Sequence, residues 1–187
     1  MIYFTADLHL GHENIIKYCN RPFKSVEEMD ETIINNINSV VRERDNLYVL
    51  GDFALYRPDY YSKKIKAYEV NFIPGSHDKK LPQHLNANCE HRFILPSIDE
   101  FCPDGLLDEY GNKRLIVMCH YSMRSWNKSH YASYHLFAHH HGRLEPYGLS
   151  FDVGVDTNNF FPYSLDDIEK KMKTLKPVVD FRIRKEK

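Results

Sequence analysis

Five short apolar stretches in this chain each stop at a residue able to hold a metal ion. Ile2–Ala6 runs into Asp7-Leu8-His9, and Leu47–Leu50 into Gly51-Asp52. Val70–Ile73 leads through Pro74 into Gly75-Ser76-His77-Asp78. Arg114–Cys119 leads into His120, and His135–Ala138 into His139-His140-His141-Gly142. Short apolar runs bounded by turn residues read as buried strands. A fold that gathers these strand ends puts carboxylates and imidazoles in one place. That mixture suits hard-to-borderline divalent metals, and a bridged pair of such metals is a device for hydrolysing phosphate esters.

The intervening segments set the fold class. Residues 25–44 are predicted to form an amphipathic helix: Ser25 and Glu28 have capping-box spacing, and Val26, Met29, Ile33, Ile37, Val40 and Val41 recur at helical intervals. Residues 59–69 read as a second helix with Pro58 near its start. The stretch Lys79–Glu90 has no clear periodicity and reads as loop or short helix. Phe93–Leu95 and Ser97–Phe101 read as strands, Asp108–Asn112 as a hairpin turn, and Leu149–Val155 as the last strand. Ser164 to Asp167 caps a short helix reaching about Lys173. Strands and helices alternate early and strands dominate later, which predicts a layered α/β domain with a mixed sheet or two facing sheets.

The 187 residues fit one domain, 1–187, with a frayed tail from about 176. Hydrophobic residues make up 42%, enough for a core. The 25 basic and 26 acidic side chains exclude a general pull toward nucleic acid or acidic membranes and leave only a local basic patch open. Cys19, Cys89, Cys102 and Cys119 form no CxxC pair, so reduced thiols are expected. No run is long enough to span a bilayer, and no signal peptide is evident. A cytoplasmic protein without membrane contact is expected; oligomeric state is not indicated.

Each group has a chemical and a plainer reading. Asp7 and His9, two apart on an extended segment, would point to one side and grip one metal; a turn aspartate beside a half-buried histidine fits as well. Asp52 could give one oxygen to each of two metals, or cap the next turn. His77 could hand a proton to a leaving oxygen or stabilise charge on phosphate, with Asp78 fixing its tautomer; a solvent-facing turn histidine is the alternative. Strand alternation would put His139 and His141 on one side and His140 on the other. With His120 ending an apolar strand, metal binding is favoured there even in isolation. His130, His135 and His140 read as structural.

In their order, D-x-H, G-D, G-x-H-D, H and H-x-H, these groups resemble the calcineurin-like metallophosphoesterase superfamily. They are most similar to its small single-domain bacterial and phage-type members. The motifs span Asp7 to Gly142, and Leu8–His12 and His120–Trp126 add to the narrower match. The resemblance implies a four-layer α/β/β/α sandwich with metals at the strand C-termini. It implies that Asp7, His9 and His141 hold one metal, that Asp52 bridges, and that Ser76, His120 and His139 complete the second. His77 falls on the histidine that assists at the phosphate and leaving group. Two positions depart: Ser76, a shorter and poorer neutral ligand, stands where the family has Asn, and Ala138 replaces a glycine.

The implied activity is hydrolysis of a phosphodiester of nucleotide or nucleic-acid type by a metal-bridging hydroxide. Two divalent ions are expected, Mn²⁺ first, with Fe, Zn, Ni or Co suiting the same ligands. The V-D-R-G segment of protein phosphatases and diadenosine-tetraphosphate hydrolases is absent after Asp52, where Phe53-Ala54-Leu55-Tyr56-Arg57 stands. Arg124, Arg143, His12 and Asn14 are candidate substrate contacts. Tyr121, Trp126 and Tyr131 could stack on a base or pack in the core. The alternatives are a phosphomonoesterase with the same metals, a catalytically weakened metal-binding homologue carrying Ser76, and a purely structural metal protein.

Overall fold

The computed structural model describes residues 1–79, 81, 85, 91–108 and 110–178. Strands β1 (Ile2–Thr5), β2 (Asn46–Val49), β3 (Glu69–Phe72) and β4 (Arg92–Ile94) run parallel in one sheet. A second sheet holds β5 (Ile98–Phe101), β6 (Ile116–Cys119), β7 (Tyr134–Phe137) and β8 (Ser150–Asp152) in that order, with β5 antiparallel and the others parallel. The two-residue β9 (Tyr163–Ser164) joins the first sheet beside β1, antiparallel, giving the order β4-β3-β2-β1-β9.

Side-chain alternation divides the interior into two cores. On β1 and β2, Tyr3, Leu47 and Val49 face one way, and Phe4, Tyr48 and Leu50 the other. The first set meets α2 (Val26–Val40) through Met29, Ile33, Ile34 and Ile37, and meets Ile15 of α1 (Glu13–Tyr18). The second set meets Ile116, Met118, Tyr134, Leu136 and Phe151 of the facing sheet. Ile168 and Met172 of α4 (Leu165–Met172) close that inter-sheet core beside β9. The fold is thus mixed α/β, two sheets flanked by helices. On the outer face of the second sheet lies His135, covered by Trp126 at 5.3 Å between ring centres.

Local chemistry accounts for the element ends. Ser25 Oγ accepts from Glu28 N–H at 3.2 Å, but the Glu28 carboxylate takes Lys24 N–H at 2.7 Å, one residue earlier than a full capping box. The α2 helix stops at Val40, short of residue 44, because Val41 turns extended and Asp45 takes Arg42 N–H at 2.8 Å. Helix α3 (Pro58–Lys64) ends well before residue 69: Asn38 bonds Lys64 O and Lys66 N–H, and Glu69 already belongs to β3. Ser164 and Asp167 form the full capping box expected of α4. The Asp108 carboxylate organises its turn by accepting Tyr110 and Asn112 N–H. Two elements were not expected: the one-and-a-half-turn α1, and β9, which displaces 149–155 as the last strand.

Within Lys79–Glu90 only Lys79, Leu81 and Leu85 are described, and both leucines are buried in the helix-side core; the rest of that expectation, Cys89 and tail residues 179–187 lie outside the described residues. Cys19, Cys102 and Cys119 are free thiols. No helix among the described residues is long and apolar enough to cross a membrane.

Candidate metal centre

Parallel pairing brings the C-terminal ends of β1 and β2 level, and the following loops extend the ladder. Asp7 N–H donates to Gly51 O at 3.0 Å, His9 N–H to Asp52 O at 2.9 Å, and Leu10 N–H to Phe53 O at 3.0 Å. Val155 N–H donates to Ala6 O at 3.0 Å, which ties the end of β8 to the end of β1 across the two sheets. Ala138 N–H donates to His120 O at 3.0 Å. Loops from β1, β2, β3, β6, β7 and β8 therefore meet at one edge, where ligands bind in open α/β sheets.

Two triads of ligand-type side chains form there, beside a third group, Cys19, His141 and Asp156, that shares His141 with the first. Asp7, His9 and His141 bring their ligand atoms within 4.8 Å of one another, and Asp52, His120 and His139 do the same. Asp52 stands between them: its Oδ2 is 3.6 Å from His9 Nε2 and 3.4 Å from His120 Nε2. Ser76 Oγ donates to the same carboxylate at 3.0 and 3.3 Å, and His77 N–H donates to Oδ1 at 2.8 Å.

The residues fit a pair of cations. Asp7 Oδ1, His9 Nε2 and His120 Nε2 are buried with no hydrogen-bond partner. Each such atom costs about 1–3 kcal/mol when left unsatisfied, and all three converge on the same space. The tautomers suit ligation. His120 Nδ1–H donates to Leu50 O at 2.9 Å, which leaves a lone pair on Nε2. His141 Nδ1 meets the Asp156 carboxylate at 2.7 Å, the carboxylate–histidine arrangement that orients a metal ligand.

Burial governs the charges. It pushes the Asp7 carboxyl up to about 7, against the pull of His141 and His120, and pushes the His9 imidazole down to about 3. Burial also opposes ionisation of Asp52, but the attraction of the adjacent His120 imidazole and the hydrogen bond from the His77 amide outweigh it, and the carboxyl lies below its usual range. His120 is raised in return: burial lowers it, and the Asp52 carboxylate beside it more than offsets that.

The expectation of strand alternation at Asp7–His9 and His139–His141 does not hold. Asp7, His9, Asp52, His139 and His141 all have positive φ, at 54°, 52°, 53°, 72° and 51°. Left-handed turns rather than extended backbone aim these side chains, and His139 and His141 fall into different triads. Gly51 and Gly75 make the close approach possible. A Cβ on Gly51 would lie 2.4 Å from His120 Nδ1, and one on Gly75 would lie 2.4 Å from Asp52 N and Oδ1.

Asp78 requires a correction. It does not touch the His77 imidazole. Its carboxylate accepts Asp52 N–H at 2.6 Å, Gly75 N–H at 2.9 Å and Phe53 N–H at 3.1 Å, so it pins two loops from behind. His77 itself is exposed, its ring 5.3 Å from that of His9. His12 is brought in, 5.5 Å from His9 and 6.0 Å from His77 between ring centres. Asp30 places that turn by accepting Gly11 N–H at 3.0 Å. Arg143 instead donates to Tyr18 O at 2.6 Å, Arg124 stacks 3.9 Å from the Tyr147 ring centre, and Asn14 is exposed in the first turn of α1. Tyr121 sets its edge against His120 and His139, each at 5.0 Å; Trp126 is buried and Tyr131 exposed.

Three supporting residues were missed in the sequence. Arg21, buried, donates to both Asp156 oxygens at 2.8 Å, to Asp7 O at 2.7 Å and to Leu8 O at 3.0 Å. Asp156 orients His141. Asp152 accepts Gly142 N–H at 2.9 Å and Gly154 N–H at 2.7 Å. Asp152 carried a usable signal, a carboxylate near the end of an apolar run as at Asp7. Arg21 and Asp156 carried none.

No protein-family model matches the chain. An uncharacterized protein of Methanocaldococcus jannaschii, MJ1445, is 34% identical over 176 residues, 90% of this chain and 89% of that protein. The gene 66 protein of Mycobacterium phage L5 is 38% identical over 52 residues, 28% of this chain and 25% of its own length. The crystal structure of the protein of unknown function AQ665 from Aquifex aeolicus has a TM-score of 0.67 and 23% identity, covering 91% of this chain and 98% of that one. That last likeness is one of fold.

Proposed function

This chain belongs to the family of the uncharacterized protein MJ1445 of Methanocaldococcus jannaschii, and we propose that it is a dinuclear-metal-dependent phosphodiesterase of the calcineurin-like metallophosphoesterase superfamily. One observation carries the reading: two ligand triads meet at Asp52, with three buried ligand atoms left unpartnered between them. The four-layer α/β/β/α sandwich of that superfamily is part of the proposal, supported by the two stacked sheets with helices outside.

Asp7, His9 and His141 would hold one ion, and His120 and His139 with Ser76 the other, Asp52 being shared. Mn²⁺ is the proposed metal; Fe, Zn, Ni or Co fit the same donors. When bound, a pair of divalent ions supplies charge to neutralise the phosphate oxygens and a water acidified toward neutrality. The chain's own groups do the rest. Asp156 and Leu50 O hold His141 and His120 in the ligating tautomer. The His77 amide and Ser76 hydroxyl fix the Asp52 carboxylate. The exposed His77 imidazole stands free to deliver a proton to the leaving oxygen. A new P–O bond forms from water, the P–O bond to the leaving group breaks, and a diester becomes a monoester and an alcohol.

The test is hydrolysis of bis-p-nitrophenyl phosphate by metal-stripped protein titrated with Mn²⁺. Activity should require the metal. Asp52→Asn should lower it by more than the roughly 10–100-fold typical of losing a residue that only supports a ligand. Near-parental turnover in Asp52→Asn with metal content intact would refute the assignment. Faster turnover of p-nitrophenyl phosphate than of the diester would move it to a monoesterase, and a silent parent revived by Ser76→Asn would identify a weakened homologue.

A further inference from the structure

A groove of about 450 Å³ is lined by His77 and by none of the residues of the two triads. The volume is within the range of small-ligand clefts. His77 is thus the groove's one link to the candidate metal centre among the described side chains that line it, apart from Asp78 behind the loops. Pro58 and Leu81, both buried, form part of the floor, and Arg57, Lys79 and Tyr56 stand along it. Arg57 and Lys79 are exposed, and neither makes an ion pair among the described residues. Asp78, the one acidic side chain among the described residues lining the groove, spends its oxygens on three backbone amides. The Tyr56 ring is 66% exposed. Arg57 has a positive φ of 49°, and its guanidinium lies 4.5 Å from the Tyr60 ring centre, a contact that favours this placement of the cation.

We propose that this groove binds the leaving-group side of the substrate, and that the substrate is a nucleotide chain whose leaving group carries a further phosphate. The inference rests on the phosphodiesterase reading, in which His77 marks the leaving oxygen. A group departing past His77 enters a trough with two unpaired cations and an exposed aromatic ring. A phosphate meets the cations, and a base stacks on Tyr56. A cyclic nucleotide, or a diester with a neutral leaving group, has no second anion to offer. Cleavage balances as before: the oxygen of water forms the new P–O bond, the P–O bond to the leaving oxygen breaks, and that oxygen takes a proton, so the released nucleotide keeps its own phosphate and ends in a free hydroxyl.

The test compares thymidine dinucleotide TpT with the trinucleotide TpTpT, which places a second phosphate on either side of the cleaved bond, using Mn²⁺-loaded protein. TpTpT should show a kcat/KM at least tenfold higher. In Arg57→Gln/Lys79→Gln the TpTpT-to-TpT ratio should fall at least fivefold, with Lys79→Gln alone intermediate. Binding of thymidine 3′,5′-bisphosphate, followed by calorimetry, should weaken at least tenfold in the double variant. Equal kcat/KM for the two substrates, or a bisphosphate affinity indifferent to the double substitution, would overturn the groove assignment. A parent inert on every diester but binding the bisphosphate through Arg57 and Lys79 would sink the catalytic reading and leave the anion site standing.

Discussion

Five non-glycine residues at the centre sit in left-handed backbone: Asp7, His9, Asp52, His139 and His141. Each costs about 1–2 kcal/mol relative to a relaxed conformation. Such a cluster persists only where surrounding bonds over-determine it, and here they do: Asp7, His9 and His139 N–H groups are each committed to the neighbouring loops. The strain is the means by which short loops turn their side chains inward. His139 offers the cleanest test, because it is exposed and its removal leaves no cavity. His139→Gly should make the metal-free protein as stable as the parent or more so, by up to about 1 kcal/mol, or roughly 2–4 °C in Tm. Mn²⁺ should raise the Tm of the parent more than that of the variant. Thermal melts with EDTA and with Mn²⁺ read both; a metal-free variant several degrees less stable would show that the backbone there is not strained.

At the scale of elements, the strands do little more than stop in the right place, and loop-to-loop bonds build the centre. Arg21 is the main tie. It bridges the loop after β1 to Asp156, in the turn after β8, across 135 residues of sequence. Arg21→Lys keeps the charge but loses the planar fork that serves four oxygen acceptors and the Met29 sulfur at once. It should cost about 2–4 kcal/mol, since Asp156 and two carbonyls are left underbonded. Metal affinity should also weaken, because Asp156 orients His141. Urea melts and a Mn²⁺ titration would show it; a loss in stability with unchanged affinity would confine Arg21 to packing. This tie also marks where reading the sequence stops working. The strands were legible because Val, Ile, Phe and Leu cluster before each turn, and most candidate ligands because each follows such a run. Arg21, before Pro22 in a polar stretch, looks like any surface arginine. The left-handed turns were hidden for another reason: Asp and His are enriched in that region, but non-glycine residues adopt it so seldom that even they are mostly found elsewhere, so alternation seemed the simpler geometry. Asp78 was misread because its three acceptor bonds go to backbone amides, which no side-chain pattern reports.

For the whole molecule, the second sheet carries a titrating group at its middle. His135 is fully buried on β7, its Nδ1 on Val117 O at 3.1 Å and its Nε2 accepting Met123 N–H at 3.1 Å. Both nitrogens are used in the neutral form, with the proton on Nδ1. A second proton would have to break the Met123 bond and charge an apolar space under Trp126. Burial accordingly holds the imidazole down at about 4, against an ordinary value of 6.5. The folded pKa lies below the unfolded one, so between these values the unfolded chain takes up the proton and the folded chain does not. Stability from this residue is complete above about pH 6.5 and is lost as pH falls toward 4, by about 3 kcal/mol. Asp7 works in the opposite direction in the metal-free protein: its folded pKa, about 7, is above its ordinary 3.8, so folding gains as pH falls through that range. The two must be separated by subtraction. His135→Gln cannot titrate but leaves Asp7 unchanged. Urea denaturation of metal-free parent and variant at pH 7, 5.5 and 4 should show the variant's deficit shrinking by about 3 kcal/mol toward acid. A deficit constant across that range would mean that His135 is already charged or solvated in the fold, and that the loop over the outer face of the second sheet does not seal it.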